Sequence, residues 1–575
     1  AYALALVQGR LYQRALREIE RSDLPKDARA QRRRDIEQRY REPALRYLRE
    51  SSGPEVLSPA YVAALIAFYE NRFDDALAQL DAIDQGSDGR AWSYEVPLLR
   101  GEILHARAEV RPDQAAADLE AGRHALEAAA SIGRSVPAVH RARAELELTA
   151  LQKELHGGGA VDAPFARGVE AVERMLALLP DDAGALTLRA RFRRSLAEYR
   201  NGRGEDVTAF LTAAVDDARR AVALAPARPE GLLSLANIYR QWGEVRQNRG
   251  QDPGPQLGQA IPLLDSIPVA ERDAEFYVVL GVIHEVWANY QDGAGQDSSV
   301  HRRQAIAACE QAVRIDERFS RAWLNLGENY SLRAWQPGAD VDGDLARARE
   351  ALSRARALDP TNVITYLYEG TMYSRIAVRK QARGDDPTPD HAQAIQSYQQ
   401  GAAVSPRNSY FPIAVSNEHL QQAKEARDHG RDPLPDLALA LAAARKATEM
   451  APDDGYGYIN VGCALLDRAD YQRLLGLDPV PAAREAEAAF RQALEHLPDR
   501  PSIWRNLADL HILVAGVELD RGHDPRERLR HAGEAIDRAL ALDPSKASAP
   551  KRRGQIHVLL ERWQAGQRGD DTRDR

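Results

Sequence analysis

The chain is 575 residues long, carries a net charge of −8, and is 44% hydrophobic but only 6% aromatic. Single hydrophobic cores stop growing at roughly 250 to 300 residues, so this length argues for a repeated architecture, and its richness in Ala, Leu, Arg and Glu argues for helices over sheets. So small a net charge points to neither nucleic acid nor an anionic membrane as the main partner, and no apolar run approaches the roughly 20 residues that a membrane span needs.

Residues 1–20 and 26–50 read as two helices with a break at Ser22 to Pro25, and Ser51 to Pro59 reads as a Gly/Pro loop. Within the second stretch Arg32, Arg33, Arg34, Arg39 and Arg41 are interleaved with Glu37 and Glu42, which fits a solvated helix face or, as an alternative, an anionic docking patch. Residues 1–57 are taken as a cap or as the junction to something upstream. The chain opens Ala-Tyr-Ala-Leu without methionine, as a processed product or a piece of a longer polypeptide would. Residues 58–134 hold shorter or irregular units, Ala60 to Asp84 and Tyr94 to Ala130. Cys309 and Cys463 stand far apart in the chain and read as free thiols, which implies a reducing, cytoplasmic compartment.

From residue 135 to 546 the pattern becomes periodic. Turns fall at Pro180, Pro226, near Ala270, and at Glu317, Pro360, Pro406, Pro452, Pro498 and Pro544, and from Pro360 onward the step is 46 residues four times running. A constant stride of this size marks a stack of like units. In one copy Trp323, Leu326, Gly327 and Tyr330 fall on one helix face, and that face returns as Leu232, Leu235, Ala236 and Tyr239, as Tyr458, Val461, Gly462 and Leu465, and as Trp504, Leu507, Ala508 and His511. A second helix alternates small and large residues: Ala305, Cys309, Ala312; Ala348, Leu352, Ala355; Ala394, Tyr398, Gly401; Ala486, Phe490, Ala493. Residues 547–568 read as a lone capping helix and 569–575 as a frayed, disordered tail.

In these positions the chain resembles the tetratricopeptide repeat. The resemblance implies an all-α, right-handed superhelical solenoid of antiparallel helix pairs that binds a protein or peptide along a concave face lined by the first helix of each pair. The usual unit is about 34 residues, so about 12 are added here, all between the two helices, which should lengthen both. The added turn has its own signature, Arg249-Gly-Gln-Asp-Pro253, Arg383-Gly-Asp-Asp-Pro387, His429-Gly-Arg-Asp-Pro433, Leu475-Gly-Leu-Asp-Pro479 and Arg521-Gly-His-Asp-Pro525. Glycine is expected to end the first helix in the left-handed conformation, aspartate to cap the second, and proline to occupy its first turn. A cation ladder along Asp252, Asp386, Asp432, Asp478 and Asp524 is the alternative, and capping accounts for them with no ligand.

Chemistry is sparse. HExxH, CxxC, GxSxG and phosphate-loop patterns are absent, so neither a catalytic set, a metal site nor a cofactor is expected. His284, His419, His511 and His557 share the first-helix packing position of Tyr239, Tyr330 and Tyr373 and are expected to pack. The resemblance puts the groove residues beside the Leu-Gly pair: Asn325, Asn460 and Asn506 just before it, Asn237 and Asn417 just after the small residue. An amide side chain offers both donor and acceptor to a peptide backbone, and a solvated face or intramolecular bonding are the alternatives. Leu233, Val278, Leu324, Leu367, Ile413 and Ile459 would make part of that groove apolar, with Arg505 and Tyr368 adding a charge and an aromatic surface. Arg505 and Asn506 lack a basic partner one repeat earlier, which speaks against a carboxylate clamp. The expected protein is a monomeric, non-enzymatic scaffold with a protein or peptide ligand. The chain also resembles the tetratricopeptide tails of some bacterial serine/threonine kinases, which implies a partner-selecting tail of a larger enzyme as one alternative; a self-assembling solenoid is another.

Overall fold

A computed structural model describes residues 4–9, 11–12, 15, 26–50, 58–85, 93–111, 113–157, 159–543 and 549–571. The expected break at 22–25, residues 51–57 of the loop, the turn at Pro544 and the end of the tail at 572–575 lie outside the described residues.

The described residues form 25 α-helices and no strand. The helix α1 (Lys26–Ile36) continues through a π turn into α2 (Glu42–Glu50). Arg32, Arg33 and Arg34 are solvated, Arg33 being 52% exposed beside Glu37. Short pairs follow: α3 (Pro59–Tyr69) with α4 (Phe73–Gln85), then α5 (Glu95–Val110) with α6 (Ala115–Ile132). Longer pairs are α7 (Pro137–Gly157) and α8 (Asp162–Leu178), α9 (Ala183–Gly202) and α10 (Thr208–Leu224), and α11 (Pro229–Asn248) and α12 (Gly254–Asp265). Next come α13 (Ala274–Gly293) and α14 (Ser299–Ile315), α15 (Ser320–Arg333) and α16 (Val341–Leu358), and α17 (Val363–Arg383) and α18 (Thr388–Val404). The last pairs are α19 (Tyr410–Asp428) and α20 (Leu434–Met450), α21 (Gly455–Leu474) and α22 (Val480–His496), and α23 (Pro501–Asp520) and α24 (Arg526–Leu542), closed by α25 (Ala549–Asp571). Two compact units divide the chain, Ala1–Thr365 and Tyr366–Arg575.

The added residues lengthen the helices as expected. A 20-residue first helix such as α21 is about 30 Å long, against the 11 residues of α3. The exception is α15, which stops at 14 residues because its repeat is shorter and reaches Pro337 early. Pairing rests on shape. Phe490 is fully buried, and a Cβ on Gly462 would sit 2.5 Å from its ring, so the glycine is what lets the aromatic side chain in. Gly370 admits Tyr398 in the same way. Burying one such side chain contributes roughly 1.5–3 kcal/mol.

Turn chemistry matches the signature with one change of role. Eight glycines, from Gly204 through Gly250, Gly295, Gly338, Gly384, Gly430 and Gly476 to Gly522, have φ between 69° and 80°. Each is followed two residues later by aspartate, so the working motif is Gly-x-Asp, present in three turns that lack the full signature. In seven of these turns the residue after the glycine closes the first helix with a bond five residues back, as Arg431 N–H does to Ala426 at 2.7 Å, and after Gly338 the Ala339 N–H bonds Gln336 O instead. Aspartate sits one place earlier than expected: proline is the N-cap, and Asp252, Asp386, Asp432, Asp478 and Asp524 accept the N–H two residues on, at 2.8–3.2 Å. Between pairs, the proline occupies the second place of a β-turn, as in Ala451 to Asp454, where its fixed φ is already correct.

First helices also touch one another, α5 through α15 at alternate helices in the first unit and α19, α21, α23 and α25 in the second, while second helices make no comparable contact. A stack that closes on one layer and opens on the other bends toward the closed layer. First helices therefore line the inside of each unit.

Candidate functional site

The seam between neighbouring first helices uses the side chains that the sequence had placed in a groove. Asn460 is 7% exposed, and its amide donates to Ile413 O at 3.2 Å and to Asn417 Oδ1 at 2.9 Å on the preceding first helix. Asn325, 8% exposed, donates to Arg321 O one turn back at 2.8 Å. Asn460 thus uses both amide donors inside the wall, and Asn325 uses one of its two within its own helix. Asn506 is half-buried and donates to Cys463 Sγ at 3.2 Å. Val278, Leu324 and Ile413 are buried in the same seams, so they do not make a groove apolar. The physical reason is that the wall bends, which turns the position before Leu-Gly toward the neighbouring helix.

Other expected residues stay accessible. Asn417 is exposed, and Asn237, Tyr368 and Arg505 are half-buried. Asn237 Oδ1 accepts from Arg240 Nε at 2.7 Å, and Arg240 also donates to Glu244 at 2.8 Å. Arg505 has no hydrogen bond or ion pair among the described residues. Of the histidines, His284 packs, stacked on His301 with ring centroids 5.3 Å apart, and His511 is buried. His557 is a correction: its side chain is 75% exposed, because no other helix among the described residues packs over that face of α25.

The sequence reading missed a charged track on the inner face. Arg194, Arg240 and Glu285 each lie four residues after the small residue of their first helix, Ala190, Ala236 and Gly281. That register was legible, as a charge recurring at one place in three successive copies. Behind it Arg302, fully buried, donates to Asn289 at 2.7 Å and Asp292 at 2.9 Å, and Asn329 donates to Glu285 Oε2 at 2.6 Å. Burial pushes the Glu285 carboxyl up to about 7, and the charge of Glu328 adds to this. Burial pulls Arg194 down to about 10, with Arg240, Arg321 and Arg191 acting the same way against Glu198. It remains charged at neutral pH.

Arg321 starts α15, three pairs beyond α9, yet its charge acts on Arg194. In the second unit Asp467 of α21 faces Arg427, Asp470, Lys424 and Asp509, accepts no hydrogen bond among the described residues, and is pushed up to about 6 by burial. Such a surface can pair charges and exchange hydrogen bonds. Among the described residues no group of three or more His, Cys, Asp or Glu side chains could hold a metal, and no helix is long and apolar enough to cross a membrane.

No protein-family model and no curated protein matches the chain. Among solved structures it is similar to a monomeric mutant of IFIT1 with m7Gppp-AAAA, at 14% identity, covering 85% of this chain and 94% of that one with a TM-score of 0.45. Yeast Tom70 is similar at 13% identity, 88% and 96% coverage and a TM-score of 0.39. YrrB, described as a TPR protein with an unusual peptide-binding site, is similar at 15% identity, 43% and 99% coverage and a TM-score of 0.26.

Proposed function

We propose that the protein is a non-enzymatic interaction scaffold of tetratricopeptide-like build that holds a segment of another protein along the inner face of its first helices. The observation that carries this reading is the polar track on the first helices α9, α11 and α13, where Arg194, Arg240 and Glu285 recur at one register and Arg194 meets Gln241 across the seam. Within that track Asn237 supplies an amide; on the inner layer of the second unit Asn417, Tyr368, Asn506 and Arg505 are the contact residues, with Gln241, Asn325 and Asn460 holding the wall. A partner-selecting tail of a larger enzyme would use the same surface. The molecule is expected to be a monomer in the cytoplasm.

The test is a photo-crosslinking amino acid placed singly at Asn237, Asn417 or, on the outer layer, Arg491, which is 71% exposed on α22. In the native host, discrete crosslinked partners should form from the two inner positions and not from Arg491. Equal yields from all three, or from Arg491 alone, would refute the inner-face reading.

A further inference from the structure

Three other enclosed arginines are each held by at least two bonds of 3.0 Å or less. Arg302 binds Asn289, Asp292 and Asn329, Arg189 binds Asp217 and Glu173, and Arg333 grips Asp344 through two nitrogens. Arg194 is different. Its side chain is only 15% exposed, yet the guanidinium makes just two long contacts among the described residues, 3.4 Å to Gln241 Oε1 and 3.5 Å to Glu198 Oε2, both from Nη1. A guanidinium has five N–H donors, so most of this one is unused. One turn earlier on α9, half-buried Arg191 has no hydrogen bond or ion pair among the described residues. Arg240 and Arg321 complete the cluster, each fixed by a carboxylate, Glu244 at 2.8 Å and Glu275 at 2.9 Å.

Arg191 and Arg194 on α9 and Arg240 on α11, two first helices that meet at the Arg194–Gln241 contact, with Arg321 near enough for its charge to act on Arg194, place positive charge and unused donors on the inner wall. Resting on the reading of that wall as a binding face, we infer that the arginine cluster of α9, α11 and α15 receives the carboxylate side chains of an acidic peptide segment. Bidentate pairing of carboxylate with guanidinium supplies the affinity. Asn237, half-buried beside the cluster on α11, has its amide nitrogen left to donate to a peptide carbonyl, its Oδ1 being taken by Arg240. A nucleic acid strand fits less well: it presents a phosphate at every nucleotide, and Glu198, Glu244 and Glu275 are interleaved with the arginines.

The test uses the full chain and fluorescence anisotropy with three labelled probes: a twelve-residue alternating Glu-Gly peptide, its Gln-Gly counterpart, and a twelve-nucleotide oligouridylate. The Glu-Gly peptide should bind at least tenfold more tightly than the Gln-Gly peptide, and more tightly still at low salt. Arg191→Glu should weaken it at least tenfold with an unchanged melting temperature, since that side chain breaks no contact; Arg194→Gln should weaken it as well. Equal binding of the two peptides, no binding of the acidic one, or undiminished binding by folded Arg191→Glu would overturn the inference. So would oligouridylate binding more tightly than the acidic peptide and losing affinity in Arg191→Glu, which would give the site to nucleic acid. If crosslinks from Asn237 persist while the acidic peptide fails to bind, only this inference falls; if both are absent, the binding-face reading falls with it.

Discussion

Asn460 and Asp467 lie two turns apart on α21 and show what single side chains do on an inner wall. An asparagine at a register that lines grooves in similar repeats is drawn into the seam, because a buried amide must find partners and Ile413 O is within reach. Exposed Asn417 sits at a different register, just after the small residue of its helix. Asp467 is the reverse case, an acidic residue that the pattern did not single out. Burial raises its folded pKa to about 6, above the ordinary carboxylate range near 3.9, so the folded chain binds a proton that the unfolded chain has released in the window between. Its contribution to stability is therefore lost as pH rises through about 6. Asp467→Asn should melt higher than the native chain at pH 8, by on the order of 1–2 kcal/mol, and alike at pH 4. His511, pulled down to about 4 by burial, has the opposite sign: its contribution is present above the ordinary value near 6.5 and lost as pH falls toward about 4. His511→Gln should therefore narrow the fall in melting temperature between pH 7 and pH 4.5, and an unchanged fall would contradict the burial of that ring.

Helices and turns were the most legible level. The i, i+3, i+4, i+7 faces and the small-large-small second helices predicted the pairs, because each pattern encodes contact with the adjacent helix in the same repeat. Gly430 and Gly462 separate two reasons for glycine. Gly430 has φ 69°, and a methyl group added there would meet nothing within 4 Å, so Gly430→Ala should cost about 1–2 kcal/mol through backbone strain alone. Gly462 is helical but faces Phe490, so Gly462→Ala should cost about 1–3 kcal/mol through overpacking, and Phe490→Leu should recover part of that. Paired chemical denaturation of the four variants checks both; rescue of Gly430→Ala by the Phe490 change would refute the distinction. Reading the turn as Gly-x-Asp-Pro hid three of its eight copies, since proline contributes to the second helix while the glycine and aspartate close the turn itself.

At the scale of the molecule, each repeat contacts chiefly its neighbours, so a defect should stay local. Phe490→Ala, which empties a fully buried ring site between α21 and α22, should lose about 3–5 kcal/mol of local stability. Hydrogen exchange should quicken in α21 to α24 while α9 to α14 keep native protection; uniform acceleration across the chain would contradict a repeat-by-repeat fold. The amino-acid sequence by itself determined the stride, the helix pairs and the turns, since each depends on residues within about one repeat of each other. Tertiary structure alone decided which polar side chains are sealed in seams and which stay accessible on the inner face. That choice depends on the rotation from one pair to the next, a sum of many packing contacts that no local pattern spells out, and it moved the candidate site from Asn325 and Asn460 to the arginines of α9 and α11.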